Sequence, residues 1–195
     1  MWTVHAESDI DLISRLQAGD ASAVSEIRAR YERELQLFCR RMVYDEILAE
    51  DIVQEVMMKC FSPGVSPPTG SLRGWLYRIA RNRAIDELRK MKPEVRISGL
   101  KSNEQIWDVA GLPIDPGTTP AGRAIKADRA RRVQLAVDAM EEDLREVVIL
   151  RFFQGLSRNE VAEAIGLSLA GTKARLSRAT KDLRTQLHSL DDSSI

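Results

Sequence analysis

The chain has 195 residues, enough for one domain or two small ones with buried cores, and 44% apolar with 30% charged residues fits a globular protein. Aromatics are few at 5%, the composition favours helix, and no apolar run approaches the roughly eighteen residues of a membrane span. The formal net charge is zero, which argues weakly against a nucleic-acid binder, yet the charge is segregated along the chain. Residues 78–92 and 173–184 each carry a net +4, residues 45–59 a net −4 and residues 141–146 a net −3. Fields fall off over about ten ångströms at ordinary salt, so local surfaces matter more than the sum.

In chain order, Asp9 is placed to cap a short helix with Ile10, Leu12, Ile13 and Leu16, ended by Gly19. Asp20 caps a longer helix whose stripe is Val24, Ile27, Tyr31, Leu35, Phe38 and Met42. Asp45 begins a third helix with Leu48, Ile52, Val56 and Cys60 inward and Glu50, Asp51, Gln54, Glu55 and Lys59 outward. Acids in its first turn suit the helix dipole, which explains Asp45 and Glu46 but leaves Asp51 and Glu55 unexplained.

Residues 62–70, SPGVSPPTG, can only be a loop. Ser71 caps a fourth helix with Leu72, Leu76, Ile79 and Leu88 inward. Trp75, Tyr77, Arg78, Arg81, Asn82 and Arg83 are expected around its remaining surface, a mixture of rings and guanidinium planes that suits unstacked single-stranded DNA. The alternative is that Trp75 is core and the arginines are a solvated flank.

Residues 93–122 hold four prolines and four glycines without periodicity and read as a linker, with Ile106, Trp107, Val109 and Leu112 able to dock as a short turn. Helix resumes over 123–140, with Val133, Val137 and Met140 inward, and again over 144–154. The tail SLDDSSI is expected to fray.

The run GLSRNEVAEAIGLSLAGTKARLSR, residues 155–178, organises the C-terminal part. Ser157 and Glu160 form a capping box; Val161, Ala162 and Ile165 share one face; Gly166 suits a left-handed residue. Ser168 then caps a second helix with the stripe Leu176, Ala179, Leu183 and Leu187, opposite Lys173, Arg175, Arg178, Lys181 and Arg184. A short helix, a glycine turn and a basic helix make a helix-turn-helix shaped for a major groove. Lys173 and Arg175, the first long donors, are expected to read bases, and Arg178 to grip phosphate.

No catalytic constellation, metal-ligand spacing or cofactor motif is present. His5 and His188 lie near the termini, and Cys39 and Cys60 fall on apolar stripes as core residues. With no secretory signal either, the expected location is the cytoplasm, away from membranes.

AEDIVQEVMMKCF followed by LRGWLYRIARNRAIDELRK, and then the run from LREVVILRFFQGLSRNEVAEAIGLS to ARLSRATKDLR, together resemble a bacterial RNA polymerase sigma factor of the extracytoplasmic-function (ECF) type, in the sigma-70 superfamily. The resemblance spans about residues 9–92 and 123–188. It implies an all-α fold of two small helical domains, region 2 over 1–92 and region 4 over 123–195, joined by a flexible linker at 93–122. It also implies core RNA polymerase (the β′ clamp helices and the β flap), promoter DNA and an anti-sigma factor as partners.

On that resemblance, Asp51, Gln54 and Glu55 match the clamp-docking segment, and Trp75, Tyr77, Arg78, Arg81 and Asn82 the segment that opens and reads the −10 element. Ser168, Lys173, Arg175 and Arg178 belong to the helix that reads the −35 element. Leu169, Ala170, Gly171 and Thr172 stand where the family commonly has an acidic residue, Gly, Thr and Val, and the 62–70 loop is unusually proline-rich. The base preference of the helix and the capture of a flipped −10 base are therefore not carried over. A LuxR-like two-domain regulator is the competing reading, since its helix-turn-helix has a similar GLSxxEVA pattern.

Overall fold

Most helices begin where a short polar side chain satisfies the free amides of a first turn, although Glu141, ahead of the helix Glu142–Val148, makes no such bond. A computed structural model describes residues 8–62, 68, 70–91 and 120–192. The expectations placed on His5, on most of the proline-rich loop and on Ile106, Trp107, Val109 and Leu112 lie outside the described residues. The helices are α1 (Asp9–Gln17), α2 (Ala21–Val43), α3 (Glu46–Phe61), α4 (Leu72–Lys90), α5 (Pro120–Asp138), α6 (Glu142–Val148), α7 (Arg158–Ile165) and α8 (Leu169–Asp192). No strand occurs among the described residues.

The first cap is Ser8 rather than Asp9: its hydroxyl accepts from the Asp11 amide while the Asp11 carboxylate accepts from the Ser8 amide. Asp9 instead accepts from the Tyr31 hydroxyl at 2.5 Å and from Arg30 at 3.0 Å, fastening α1 to α2. Asp20, Asp45, Ser71 and Ser157 cap as their side chains allow, and Ser157 with Glu160 closes a full capping box.

Helix α6 starts at Glu142, two residues earlier than the apolar pattern suggests, and its continuation Ile149–Phe153 widens into a π turn closed by Gln154 N–H to the Ile149 carbonyl at 3.0 Å. Helix α5 starts at Pro120, three residues into the expected linker, because proline suits a first helical position. The expected frayed tail stays helical through Asp192.

Helices α1–α4 pack around the buried α2 stripe Val24, Ile27, Tyr31, Leu35, Phe38 and Met42. Phe38 meets Tyr77 of α4 edge to face, ring centroids 5.1 Å apart. Helices α5–α8 share Val137, Met140, Val147, Leu150, Val161, Ile165, Leu176 and Ala179, and the whole forms one continuous apolar cluster. Cys39 is buried and Cys60 half-buried, and that burial pushes their thiols up to about 12 and about 11, so neither is a reactive thiolate.

The two sets of helices are not separate. Helix α4 lies against α7, and α2 touches the π turn. Phe38→Ala, which empties the centre of the α2–α4 contact, is expected to cost about 3–5 kcal/mol. Ser157→Ala, which removes a cap on an exposed turn, should cost about 1 kcal/mol. Urea unfolding of the full chain measures both; equal losses would mean that the core does not centre on Phe38.

Candidate polymerase and nucleic-acid interfaces

Two faces of α3 differ sharply. Ala49, Ile52, Val53, Val56 and Met57 are buried, while Ile47 is 75% and Met58 60% exposed at the two ends of a row that also holds exposed Glu50, Asp51 and Gln54. Apolar ends around an acidic and amide centre form a surface with no partner element packed on it among the described residues. Glu55 does not belong to that row. It receives two hydrogen bonds from Arg83 of α4, one of them from Nη2 at 2.8 Å, and that guanidinium holds its carboxyl below the usual range. Substituting Glu55 would break an α3–α4 ion pair as well as alter the outer face, so Asp51 and Gln54 are the clean probes.

On α4 the aromatic residues are not where the sequence pattern put them. Trp75 is 4% exposed and Tyr77 fully buried; Arg78 and Asn82 are exposed, and Arg81 is half-buried. The sequence cannot separate a ring that stacks on a base from one that stacks inside the protein, because both sit beside arginines. Here Tyr77 donates to the Gln154 side-chain carbonyl at 3.1 Å, and Arg81 makes a two-pronged pair with Glu146, Nη2 to Oε2 at 3.1 Å. Arg73 bridges Glu34 at 2.8 Å and the Gln154 carbonyl at 2.6 Å.

The helix-turn-helix forms as the sequence reads. Gly166 closes α7 with φ +70°, and the Ser168 hydroxyl accepts from the Gly171 amide at 3.1 Å. Gly171 has a local reason: a Cβ there would stand 3.3 Å from the Ser168 oxygen, so the cap and the glycine form one tight unit. Thr172 is buried, its hydroxyl on the Ser168 carbonyl at 3.0 Å.

Beyond the cap, Ala170, Lys173, Ala174, Ser177, Arg178 and Lys181 are exposed, at helical spacings that make one outward row. Arg175 is not in it. Its guanidinium lies 3.7 Å from Asp143 of α6, which turns it toward the protein. Lys173 and Arg178 thus remain free to meet a groove, and Arg175 sits at the edge.

Residues 27–93 match the sigma-70 region 2 family model and residues 130–183 the sigma-70 region 4 model. The ECF RNA polymerase sigma factor SigX of Bacillus subtilis (strain 168) is 33% identical over 162 residues, 82% of this chain and 81% of the relative. The chain belongs to the ECF sigma factors. SigW of the same organism is 26% identical over 179 residues, 91% of this chain and 96% of that one. Among solved structures, CnrH in complex with the cytosolic domain of CnrY aligns with a TM-score of 0.64 at 22% identity, over 97% of this chain and all of that one. The sigma factor RpoE in complex with the anti-sigma factor NepR from Bartonella quintana aligns at 0.54 and 24%, covering 84% and 97%. The LuxR-like alternative finds no support, since the N-terminal half matches region 2. As an ECF sigma factor the protein directs core RNA polymerase to promoters.

Sequence reasoning missed a second set of residues. Tyr44, in the left-handed conformation at φ 57°, donates to Asp138 at 2.7 Å beneath the Arg145 guanidinium. Glu163 accepts from the Ser71 amide at 3.1 Å, and Glu160 from the Ser71 hydroxyl at 3.3 Å. The available signal was Gly74, a glycine inside a helix that needs no flexibility there. It is buried against α7, so closely that a Cβ would stand 3.2 Å from Cβ of Glu163.

Burial raises the Glu146 carboxyl above its usual range, although Arg81 pulls the other way. The sign follows from linkage: between the ordinary glutamate value and its higher folded value, the folded chain holds a proton that the unfolded chain lacks. That contribution is fully present below the unfolded value and is lost as pH rises through the folded one. Wild type should therefore gain stability relative to Glu146→Gln as pH falls from 7.5 to 5. Asp138, raised by burial too, is common to both proteins and drops out of the difference. Urea midpoints across that range measure the gap; a wild type that loses ground on acidification would mean that Arg81 outweighs burial.

Proposed function

We propose that the outer row of α3, Ile47, Glu50, Asp51, Gln54 and Met58, docks on the β′ clamp helices of core polymerase, within a region 2 domain spanning residues 1–92. The supporting observation is that these side chains are exposed together on one face and combine carboxylate and amide groups with two large apolar ones, which a partner surface can hydrogen-bond and bury. Trp75, Tyr77, Arg78, Arg81 and Asn82 act at the −10 element. Arg78 and Asn82 meet it directly, and Tyr77 and Arg81 become available only once their partners at Gln154 and Glu146 leave.

Residues 123–195 act as region 4, against the β flap and the −35 element, with residues 93–122 as the linker. Ser168 sets the start of the recognition helix, Lys173 reaches base edges, and Arg178 grips phosphate. A phosphate contact carries no sequence information, whereas a base-edge contact discriminates by about 1–3 kcal/mol. Arg175, paired with Asp143, positions the helix more than it reads it.

The chain does no chemistry of its own and works in the cytoplasm, where polymerase is. Two of the similar structures are of complexes, one with the anti-sigma factor NepR and one with the cytosolic domain of CnrY. An anti-sigma factor is accordingly the expected regulator here, in a stress or envelope response.

The testing experiment reverses the row. Asp51→Lys with Gln54→Lys should abolish co-elution with core polymerase on gel filtration and leave the far-ultraviolet dichroism of the free chain unchanged. Undiminished holoenzyme formation would remove α3 as the docking surface.

A further inference from the structure

The two basic helices differ in how much of their charge is already paired. On α4, Arg81 pairs with Glu146, Arg83 with Glu55 and Glu87, Arg89 with Asp86 and Lys90 with Glu87. On α8, Lys173, Arg178, Lys181 and Arg184 are exposed and make no ion pair among the described residues. Arg175 is the exception. Its half-buried guanidinium makes a 3.7 Å ion pair with Asp143 of α6, which packs along α8. The two residues before Asp143, Glu141 and Glu142, are exposed as well.

Helix geometry turns that exception into a constraint. At about 100° per residue, measured from Lys173, Arg184 stands at about 20°, Lys181 at about 80° and Arg178 at about 140°. The exposed Ala170, Ala174 and Ser177 lie within this arc, while the buried Ala179, Thr172 and Leu176 occupy about 240–300°. Arg175 comes at about 200°, between the last unpaired cation and the buried edge. With Arg175 neutralised, the cationic arc of α8 is about 140° wide; with Arg175 released it would be about 200°.

The width of that arc decides how far the helix can roll about its own axis in a groove. Phosphates line both rims of the groove and attract any cation, whereas only base-edge contacts carry sequence. A roll of about 60° toward Arg175 would exchange one phosphate contact for another and swing Lys173 away from the base edges. Holding Arg175 against Asp143 removes the cation that would support the rolled pose, and the carboxylates of Glu141 and Glu142 repel phosphate from the same end of α6. Discrimination arises from penalising a wrong docking as well as from favouring the right one.

We propose that Asp143 is a positioning residue for promoter recognition: by holding Arg175 it confines α8 to one roll angle in the major groove, and so sharpens base preference at the −35 element. The arrangement gives up one cation against the phosphates and gains a single docking pose. The inference rests on the reading of α8 as the −35 helix given above.

The test selects promoters with holoenzyme. Core polymerase carrying the full-length chain is presented with duplexes randomised over the −35 element, and the selected duplexes are then bound at salt concentrations from about 50 to about 200 mM. Asp143→Asn keeps the shape of the side chain and removes its charge, which releases Arg175. It should select a broader set of −35 sequences, and its preference for the wild-type selection over single-base variants should fall several-fold. Its salt slope should steepen by about 0.9, so that its affinity falls about 3.5-fold more than that of wild type across the range. Asp143→Glu should keep both wild-type values, and Asp143→Asn with Arg175→Gln should return both to them. A damaged fold lowers affinity, whereas Asp143→Asn should raise it at the low-salt end.

An Asp143→Asn holoenzyme with the selection pattern and salt slope of wild type would overturn the inference. So would a steeper slope with an unbroadened pattern, since the released cation would then not alter the docking pose. A broadened pattern that persists in the double variant would overturn it too, because the effect would not pass through Arg175. A wild-type holoenzyme that selects no −35 sequence at all would instead count against the reading of α8 on which the inference rests.

Discussion

The molecule turns on one buried seam, in which Tyr77 and Arg81 of α4 find their partners in Gln154 and Glu146 rather than in solvent. A buried ion pair is a poor source of net stability, because taking both charges out of water costs about what their attraction returns. Removing one partner is far more damaging, since the other is left buried and alone. Such a contact therefore specifies one docking geometry without making it tight. Gly74 completes the condition: without a side chain there, Glu163 can reach the Ser71 amide, and the start of α4 is held against α7.

The charge segregation acquires a meaning from this seam. A net charge of zero suggested a weak case for nucleic-acid binding. In the folded chain part of that neutrality is internal, with Arg81 set against Glu146 and Arg175 beside Asp143. The acidic stretch at 141–146 serves this chain's own basic helices. The other acidic stretch, on α3, spends Glu55 on Arg83 and keeps Glu50 and Asp51 outward. Two acidic segments of similar composition thus have different destinations, one inward and one free.

How much of this the sequence disclosed follows from where the information lies. Caps, the α2 stripe, the Ser157–Glu160 box and the Gly166 turn are local, and their residue types answer directly to backbone geometry. Helix α4 is different. Packed on α2 on one side and on α7 on another, it has no single apolar stripe, so Trp75 and Tyr77 fell on what looked like its surface. The π turn at Ile149–Phe153 left no mark either, because four apolar residues around Arg151 suit an α-helix equally well. Arg175 shows the limit of counting donors along a basic face: three residues along the helix, a net offset of about 60° about the axis, separate Arg178 in the outward row from Arg175 beside Asp143. The clue to the missing contacts was a glycine inside a helix, Gly74 against Glu163.

The distance between α4 and α8 is the quantity on which the account stands. Spin labels at the exposed positions Arg89 and Arg184, in a Cys60→Ser background, report it by double electron–electron resonance. The account predicts one short, narrow distribution in the free chain, replaced in the promoter complex by a longer one. A free chain that already shows the long, broad distribution, or a promoter complex that keeps the short one, would contradict it.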